Sequence, residues 1–159
     1  LQRQMCIRDR DIAHQIVRHR SFSFQEFSQR YANPVEDLEF VIREARLQDP
    51  KNRQNSVETE DEKIINEWEK LQNNLIENAK EVYNWAIENG IAKEQARVVL
   101  PEGCTKTRLY MNGSLRSWIH YIDLRGANGT QKEHMDIAHE CAKVVAEIFP
   151  NIMSCVSEG

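Results

Sequence analysis

The stretch TKTRLYMNGSLRSWIHYIDLRG, residues 105–126, contains two hydrophobic periods in succession. Residues 105–111 alternate between polar and apolar side chains, and this period of two predicts a β-strand. Residues 114–124 repeat their apolar side chains at three- and four-residue steps, which predicts a helix that ends near Gly126. We expect one side of this helix to be buried, namely Leu115, Trp118, Ile119 and Ile122.

The same two periods predict the elements on either side of this stretch. A second strand is expected over residues 37–43, and the alternation after residue 20 predicts an extended segment over residues 21–31. Residues 49–61 are polar and include a proline, so they predict a surface loop. Further helices are expected over residues 11–20, 64–87, 92–100 and 130–149.

The helix over residues 64–87 is the longest predicted element, and Gly90 is placed to close it. Its pattern predicts a packing helix; a coiled coil is the weaker interpretation, because the pattern is short and rich in asparagine. The last helix opens with TQKE, in which Thr130 as the N-cap and Glu133 predict a capping box. The apolar positions of the long helix are Ile64, Ile65, Trp68, Leu71, Leu75, Ala79, Val82, Ala86 and Ile87.

Length and composition predict one globular domain. The chain has 159 residues, of which 40% are hydrophobic and 29% charged, values typical of a protein that folds around its own core. Its formal net charge of −4 argues against a nucleic-acid binder or a membrane-surface protein, since both are usually basic. A local basic site for a small anion is compatible with this charge.

Cysteine usage and the chain start bear on location. The cysteines at positions 6, 104, 141 and 155 form no CxxC pair, which argues against a disulfide framework or zinc ribbon and favours a reducing cytoplasm. No apolar run has the length of a membrane span, and no signal peptide is visible. The chain begins with Leu1, and the opening LQRQMCIRD has no usable period, so we expect that the natural N-terminus is missing or replaced.

The densest group of chemically active side chains is RHRSFSFQEFSQRY, residues 18–31. Arginine forks bind phosphate or carboxylate, and serine hydroxyls with loop N–H groups can complete an anion site. In an extended loop, Glu26, Ser28 and Arg30 share one side and can face one ligand. The alternative is a solvated basic turn. Arg20 argues against it, because a continued helix would direct this charge to the apolar side, where it needs a partner.

Other polar residues have competing interpretations. Arg116, His120 and Asp123 form one helical stripe, which is either functional or a surface ladder of ion pairs, and Arg125 follows at the helix end. Arg97 is the single charge of an apolar run and is either a ligand contact or a snorkelling side chain.

Several catalytic and cofactor motifs are absent. Asp136 and His139 have a spacing compatible with a metal, but one such pair without an HExxH motif predicts no metal site. The sequence has no GxSxG, Walker A or GxGxxG motif, and no cysteine lies in an activating position beside a histidine. A redox cofactor would therefore bind outside a Rossmann framework.

Arg18-His19-Arg20, followed after seven residues by Ser28, resembles the signature of the flavin-dependent (ThyX-type) thymidylate synthases. The similarity extends over RDIAHQIVRHRSFSFQEFSQRY, ARVVLP, SLRSWIHYIDLR and TQKEH, in the family's order, and covers residues 10–149. The resemblance implies an α+β fold, with a mixed or antiparallel sheet packed with several helices including one long helix. It also implies a homotetramer in which each active site draws on more than one subunit.

The resemblance also implies site residues, position by position. Arg125 matches the arginine that contacts and activates the uracil ring, and it is the predicted catalytic residue. Positions of the dUMP site are matched by Gln15, Arg18, Glu26, Ser28, Arg30, Arg97 and Arg125. Flavin-contacting positions are matched by Arg18, His19, Arg20, Arg116 and His120, the last of which is asparagine in some members.

The implied reaction is a methyl transfer of nucleotide biosynthesis. In it dUMP becomes dTMP, methylenetetrahydrofolate supplies the carbon, and FAD reduced by NADPH supplies hydride. No cysteine nucleophile is needed, in agreement with the absence of an activated cysteine. An arginine at the uracil carbonyl would stabilise the negative charge that builds as C5 becomes nucleophilic, and arginines on the phosphate would position the ring.

Both ends of the chain depart from the family pattern. Residues 1–9 do not resemble the family's upstream stretch, which includes a strand that touches FAD, and residues 151–159 form a short tail. We therefore expect residues 10–150 to be a partial catalytic domain behind an atypical or artefactual start. The alternative function is a catalytically impaired fragment that binds dUMP but holds flavin poorly. An RNA-binding domain is disfavoured by the net charge.

Overall fold

A three-stranded antiparallel sheet lies at the centre of the fold, in a computed structural model that describes residues 2–31, 33–37 and 39–151. Its strands are β1 (Gln2–Asp9), β2 (Phe22–Glu26) and β5 (Lys106–Gly113), in the spatial order β1-β5-β2. β5 pairs along both edges: Asp9 lies opposite Lys106 in one ladder, and Phe22 lies opposite Gly113 in the other. A separate hairpin consists of β3 (Arg46–Gln48) and β4 (Ser56–Glu58).

Helices pack around this sheet, so the implied α+β fold with one long helix is confirmed. A 3₁₀ turn, Arg97–Val99, directly follows α4 and completes the predicted element over residues 92–100. None of the helices in the described part of the chain is both long and apolar enough to cross a membrane. The helices are α1 (Arg10–Ile16), α2 (Pro34–Asp37), α3 (Glu62–Glu88), α4 (Lys93–Ala96), α5 (Leu115–Gly126) and α6 (Lys132–Ile148).

The central strand alternates in burial, as its period of two predicts. Thr107, Leu109, Met111 and Gly113 are buried, and the residues between them are partly exposed. Gly113 is required by packing, because a Cβ at this position would lie 2.6 Å from Cδ1 of Phe22. The absence of a side chain lets the Phe22 ring cover the end of the strand.

Helix α5 begins directly after β5 and carries the core. Ser114 caps it, since its Oγ accepts a hydrogen bond from the backbone N–H of Ser117 at 3.3 Å. The predicted stripe is buried at Trp118 and Ile122 and half-buried at Leu115 and Ile119. The main core joins α1, β2, β5, α5 and α6, and its largest members are Ile12, Ile16, Phe22, Leu109, Met111, Trp118, Tyr121, Ile122 and Val145.

Helix α3 confirms the predicted long helix but not its buried face. It begins after Asp61, whose carboxylate accepts from the N–H groups of Lys63 and Ile64, and it ends before Gly90, which has a left-handed φ of 77°. Of the nine predicted apolar positions only Ala79 and Ala86 are buried. The face that packs on the chain is instead Gln72, Ile76, Ala79, Tyr83 and Ala86.

The predicted strand over residues 37–43 is wrong. Asp37 ends α2, and beyond it Phe40 makes a single bridge to Thr105, while the N–H of Val41 donates to the carbonyl of Cys104 at 2.8 Å. Strands β1 and β2 already occupy both edges of β5, so this segment meets only the residues at the start of β5. Residue 38 lies outside the described residues.

Other boundaries also need correction. The predicted loop over residues 49–61 contains β4, which pairs with β3; the Arg46 guanidinium holds this hairpin together through the Ser56 side chain (2.8 Å) and carbonyl (3.0 Å). Helix α6 begins one turn position later than predicted: Gln131 is its N-cap, without a side-chain cap bond, so the capping box at Thr130 is wrong. Residues 2–9, which received no element from the sequence, form β1 through backbone pairing.

Candidate active site

The turn between α1 and β2 fixes the direction of the Arg-His-Arg segment. The N–H groups of Arg18 and His19 donate to the carbonyls of Gln15 and Ile16 at 3.3 and 3.0 Å, so α1 ends at Ile16. His19 is consequently half-buried, whereas Arg18 and Arg20 are exposed. The expectation that Arg20 continues the helix toward its apolar side is wrong, because the helix has already ended.

Arg125 and His19 form the centre of the candidate site. The Nε–H of Arg125 donates to Nε2 of His19 at 2.9 Å and joins the last turn of α5 to the turn after α1. Burial lowers the pKa of His19, and the charges of Arg125 and His120 lower it further. His19 is therefore a neutral acceptor at neutral pH, with its proton on Nδ1. Its ring meets Tyr121 edge-on, with centroids 5.0 Å apart.

A second imidazole, His134, lies behind this pair and is completely buried. Burial lowers its pKa to about 4, with smaller effects of the same sign from Arg125 and His19. Nδ1 of His134 lies 3.4 Å from Oε1 of Gln15, and its Nε2 has no hydrogen-bond partner among the described residues. Arg125 thus faces two neutral rings rather than two cations.

Gln15 connects these rings to a polar network that leads away from the site. Its Nε2–H donates to Oε1 of Gln131 at 2.8 Å, and the Gln131 amide donates to Glu133 at 2.9 Å. Glu133 in turn lies 3.3 Å from the Arg43 guanidinium, which also contacts the buried Asp9 carboxylate at 2.8 Å. The network therefore ties the start of α6 to the start of α1.

Glu26 lies at the end of β2 in a different environment. Its carboxylate accepts a hydrogen bond from the Thr107 hydroxyl at 2.9 Å and lies 3.7 Å from the Arg10 guanidinium. Arg10 also contacts Glu102 at 3.5 Å. The extended segment that was predicted to align Glu26 with later residues continues as β2 only to Glu26.

Arg30 and Arg97 meet at Glu94. The Arg30 guanidinium lies 2.9 Å from the Glu94 carboxylate, and the Nε–H of Arg97 donates to the Glu94 carbonyl at 3.2 Å. Arg97 lines a cavity of about 510 Å³ together with Arg10, Gln29 and Glu102. Arg97 is partly buried, so its stem lies along apolar neighbours while its charged end reaches this cavity.

The remaining predicted site residues lie on the surface. Arg18, Arg20, Arg116 and His120 are exposed, and so is Ser28, whose Oγ accepts from the N–H of Arg30 at 3.4 Å. No hydrogen bond or ion pair among the described residues joins the His19–Arg125 pair to the Arg30–Arg97 pair. The chain by itself therefore presents its predicted site residues as two separate groups.

The proposed metal pair, Asp136 and His139, is engaged elsewhere. Asp136 lies 3.2 Å from the Lys132 ammonium, and Nε2 of His139 lies 3.3 Å from the Gly126 carbonyl. No group of three or more potential metal ligands occurs within residues 2–31, 33–37 and 39–151.

A model of the family described as thymidylate synthase complementing protein matches residues 3–151 of this chain. The chain belongs to this family. The resemblance drawn from the Arg-His-Arg signature is thereby confirmed, and the match includes β1, which carries none of the motifs that sequence reasoning used.

Curated relatives of the thymidylate synthase complementing protein family agree with this assignment. The probable flavin-dependent thymidylate synthase of Paramecium bursaria Chlorella virus 1 is 51% identical over 143 residues, which cover 90% of this chain and 65% of the relative. The flavin-dependent thymidylate synthase of Synechocystis sp. is 48% identical over 147 residues, covering 92% and 66%. The chain thus spans about 65% of the length of the curated relatives it matches.

Solved structures with this family fold include a UMP/dUMP methylase, PolB from Streptomyces cacaoi. Bound with 5-Br UMP, that protein superposes with a TM-score of 0.78 at 25% identity, covering 91% of this chain and 68% of the methylase. Its complex with 5-Br dUMP superposes with a TM-score of 0.74.

Sequence reasoning missed several residues of the site in this family member. His134, Gln131 and Tyr121 contact or face the predicted residues, yet none of them was selected as a site residue. The available signal was that His134 lies three and four residues before Ile137 and Ala138, on the apolar stripe of α6. A histidine on a buried stripe needs polar neighbours, and these point back to Gln15.

Proposed function

We propose that the protein functions as a flavin-dependent thymidylate synthase, which converts dUMP to dTMP. Methylenetetrahydrofolate is the proposed carbon donor, and NADPH-reduced FAD is the proposed hydride donor. The observation that carries this proposal is the Arg125–His19 hydrogen bond, which holds a charged guanidinium against a neutral ring within a chain 48–51% identical to named flavin-dependent thymidylate synthases.

Arg125 is the proposed catalytic residue. A guanidinium has five N–H donors, and the bond to His19 uses only the one on Nε. Because His19 and His134 are neutral, the positive charge of Arg125 is not opposed by further cations from these rings. A fixed cation of this kind stabilises negative charge that develops on a uracil carbonyl oxygen when C5 becomes nucleophilic.

The proposed dUMP contacts are Gln15, Arg18, Glu26, Ser28, Arg30, Arg97 and Arg125. Arg30 and Arg97 suit the phosphate, since two guanidinium groups offer several donors to one anion. Glu94 contacts both of them and occupies the place of an anion. Binding of a phosphate at this position would therefore require Arg30 to exchange the Glu94 carboxylate for the ligand.

The residues proposed to hold FAD are Arg18, His19, Arg20, Arg116 and His120, and their chemistry fits a diphosphate. Arg18, Arg20 and Arg116 are exposed cations that take part in none of the ion pairs of the described residues, although the chain as a whole is acidic. Unpaired guanidinium groups are suited to an anionic ligand. When bound, reduced FAD supplies hydride; the residues of the chain bind and orient the reactants.

The described cysteines support a reaction without a cysteine nucleophile. Cys104 and Cys141 are buried free thiols, and burial raises the pKa of Cys104. A buried, protonated thiol is a poor nucleophile. Such free thiols also support the proposed cytoplasmic location.

We further propose that residues 10–150 constitute the catalytic domain and that the protein assembles as a homotetramer with shared active sites. The separation of the His19–Arg125 pair from the Arg30–Arg97 pair supports shared sites, because a second subunit can bring one group to the other. Both core clusters of the chain lie within residues 10–150, which supports the domain assignment.

Two measurements test the proposed function. Purified protein should show flavin absorbance and should form dTMP from dUMP when methylenetetrahydrofolate and NADPH are supplied. Protein that binds flavin and dUMP but forms no dTMP would refute the proposed activity. Colourless protein that still binds dUMP would support the impaired nucleotide-binding alternative.

A further inference from the structure

Helix α3 exposes a continuous apolar stripe beside the face that packs on its own chain. Positions 64, 68, 71, 75, 78, 82 and 85 follow alternating steps of four and three residues, which is a heptad seam. Six of these positions are large apolar residues with 42–60% of their surface exposed, and the seventh is Asn78. The six are Ile64, Trp68, Leu71, Leu75, Val82 and Trp85.

The area of this stripe is that of an interface. At about 150–250 Å² for a complete large side chain, the exposed fractions amount to roughly 600 Å² per chain. This value is at the upper end of the largest apolar patch on a typical monomer, about 300–600 Å². Two copies placed stripe to stripe would bury about 1,200 Å² in total, where stable and specific interfaces begin.

The charges beside the stripe favour a second copy in the antiparallel direction. Along its solvent side the first half of α3 carries Lys63 and Lys70, whereas the second half carries Glu77, Glu81 and Glu88. All five are exposed. A parallel pair would place glutamate against glutamate, whereas an antiparallel pair places each lysine against a glutamate of the other copy.

One register satisfies both the charges and the apolar positions. With a two-fold axis close to Leu75, Lys70 lies opposite the partner's Glu81, and Lys63 lies opposite the partner's Glu88. The same register brings Trp68 opposite the partner's Val82, which combines a large side chain with a small one. Leu71 lies opposite the partner's Asn78, the single polar position of the seam.

We infer that α3 pairs antiparallel with α3 of a second copy of this chain, about an axis close to Leu75. This inference rests on the proposed self-association and names the surface that forms it. The face that packs on the own chain and the face that binds the copy are adjacent, so α3 serves both at once. Asn78 weakens the seam, and a single polar residue of this kind commonly fixes register.

The first test is the mass of the protein in solution, measured by light scattering during size-exclusion chromatography. The Leu75→Glu variant places two like charges at the two-fold axis and should halve the mass of the wild-type assembly. The matched control is Val144→Glu, an exposed apolar residue on α6 with 42% of its surface accessible, which should leave the mass unchanged. Circular dichroism confirms that both variants are folded.

The second test exchanges charges across the seam. Lys70→Glu and Glu81→Lys should each raise the dissociation constant about tenfold, and the double variant should return it to within about threefold of wild type. Lys70 also lies 3.5 Å from Glu67 in its own chain, but an exposed pair of this kind contributes little to folding. The recovery is specific to an antiparallel second copy.

The outcomes separate this inference from the proposed function. An assembly that keeps its mass in Leu75→Glu, or a double variant that is weaker than either single one, would overturn the α3 pairing. Formation of dTMP by the wild-type protein is measured independently, so the enzyme proposal can stand or fall without the interface. A wild-type chain that is monomeric at high concentration would overturn the pairing and the proposed homotetramer together.

Discussion

Helices α5 and α3 have the same kind of apolar periodicity and bury it to opposite extents. Trp118 on α5 is inaccessible to solvent, whereas Trp85 on α3 keeps 60% of its surface exposed. Helix α5 follows the central strand and packs between the sheet and α6, while α3 packs only on α4 and the turn after it. Periodicity therefore reveals that a helix has an apolar face, and the neighbouring elements decide whether the chain itself covers that face.

The comparison can be broken most directly by truncating one tryptophan on each helix. Trp118→Ala should lower the free energy of unfolding by about 3–5 kcal/mol, because it leaves a cavity in the main core. Trp85→Ala should lower it by less than about 1 kcal/mol in the monomeric chain, since most of the ring is already in water. Denaturant unfolding at a concentration where the chain is monomeric measures both. Equal losses would contradict the contrast between the helices.

The chemical difference between the helices is tested at Arg125, which α5 holds beside His19. Arg125→Ala should lower turnover of dUMP by about 100–1,000-fold, the usual loss when one stabilising donor is removed. Flavin absorbance should persist in this variant. Arg53→Ala, at an exposed arginine of the β3–β4 turn, is the matched control and should turn over normally. Normal turnover by the Arg125 variant would show that the residue is not catalytic.

The α5 side should also respond to pH, because His134 is buried there as a neutral ring. Its pKa is about 4 in the folded protein and near 6.5 when exposed. Between these values the unfolded chain binds the additional proton, so the free energy of unfolding should fall as the pH drops from 6.5 to 4, by up to about 3 kcal/mol. His19, whose pKa is also lowered, contributes with the same sign.

The His134→Asn variant isolates this effect. Its unfolding free energy should change less between pH 6.5 and pH 4 than that of the wild type, as measured by urea unfolding at a series of pH values. Parallel pH profiles of the two proteins would show that His134 is not held neutral.

A smaller effect is expected at the junction of β5 and β2, on which α5 depends. Gly113→Ala should lower the free energy of unfolding by about 1–3 kcal/mol, because the new methyl group overlaps the Phe22 ring. Gly103→Ala is the control: its Cβ would meet only an Asp11 oxygen at 3.9 Å. Thermal unfolding compares the two, and an equal cost would show that the Phe22 contact does not restrict position 113.

The smallest expected effects compare the caps of the two helices. Asp61→Ala on α3 should cost about 1 kcal/mol, since its carboxylate accepts two backbone hydrogen bonds, at 2.9 and 3.3 Å. Ser114→Ala on α5 should cost about 0.5 kcal/mol, because its hydroxyl accepts one backbone bond, at 3.3 Å. Denaturation midpoints measure both, and a larger loss at Ser114 would reverse the order.

The sequence predicts those features that depend on local periodicity. The strand β5, the helix α5 and the long helix α3 follow from the spacing of apolar residues and from Gly90, and all are found near their predicted bounds. Which face of α3 packs on the chain does not follow from its own sequence. The buried face contains Gln72, whose amide donates to the Arg43 carbonyl and accepts from the Arg43 N–H. Such partners are distant in sequence.

The candidate site shows the same limit. Family resemblance selected His19 and Arg125, which the structure brings to hydrogen-bonding distance from opposite parts of the chain. The direction of Arg20 was misjudged, because the end of α1 is set by backbone hydrogen bonds of a turn that has no periodic signature. His134 was missed because a single histidine among apolar residues carries no motif. Strand β1 was missed because backbone pairing requires no alternation of side chains.

The double pairing of β5 has a consequence for how this family can vary in length. Insertion of one residue within Lys106–Gly113 would shift the core-facing side chains to the opposite side and rotate the start of α5, so Arg125 would lose its alignment with His19. The turn between β3 and β4 is exposed and joins only a two-stranded hairpin, so it can accept added residues. Insertions and deletions among relatives should therefore accumulate in residues 49–55 and be excluded from the eight residues of the central strand.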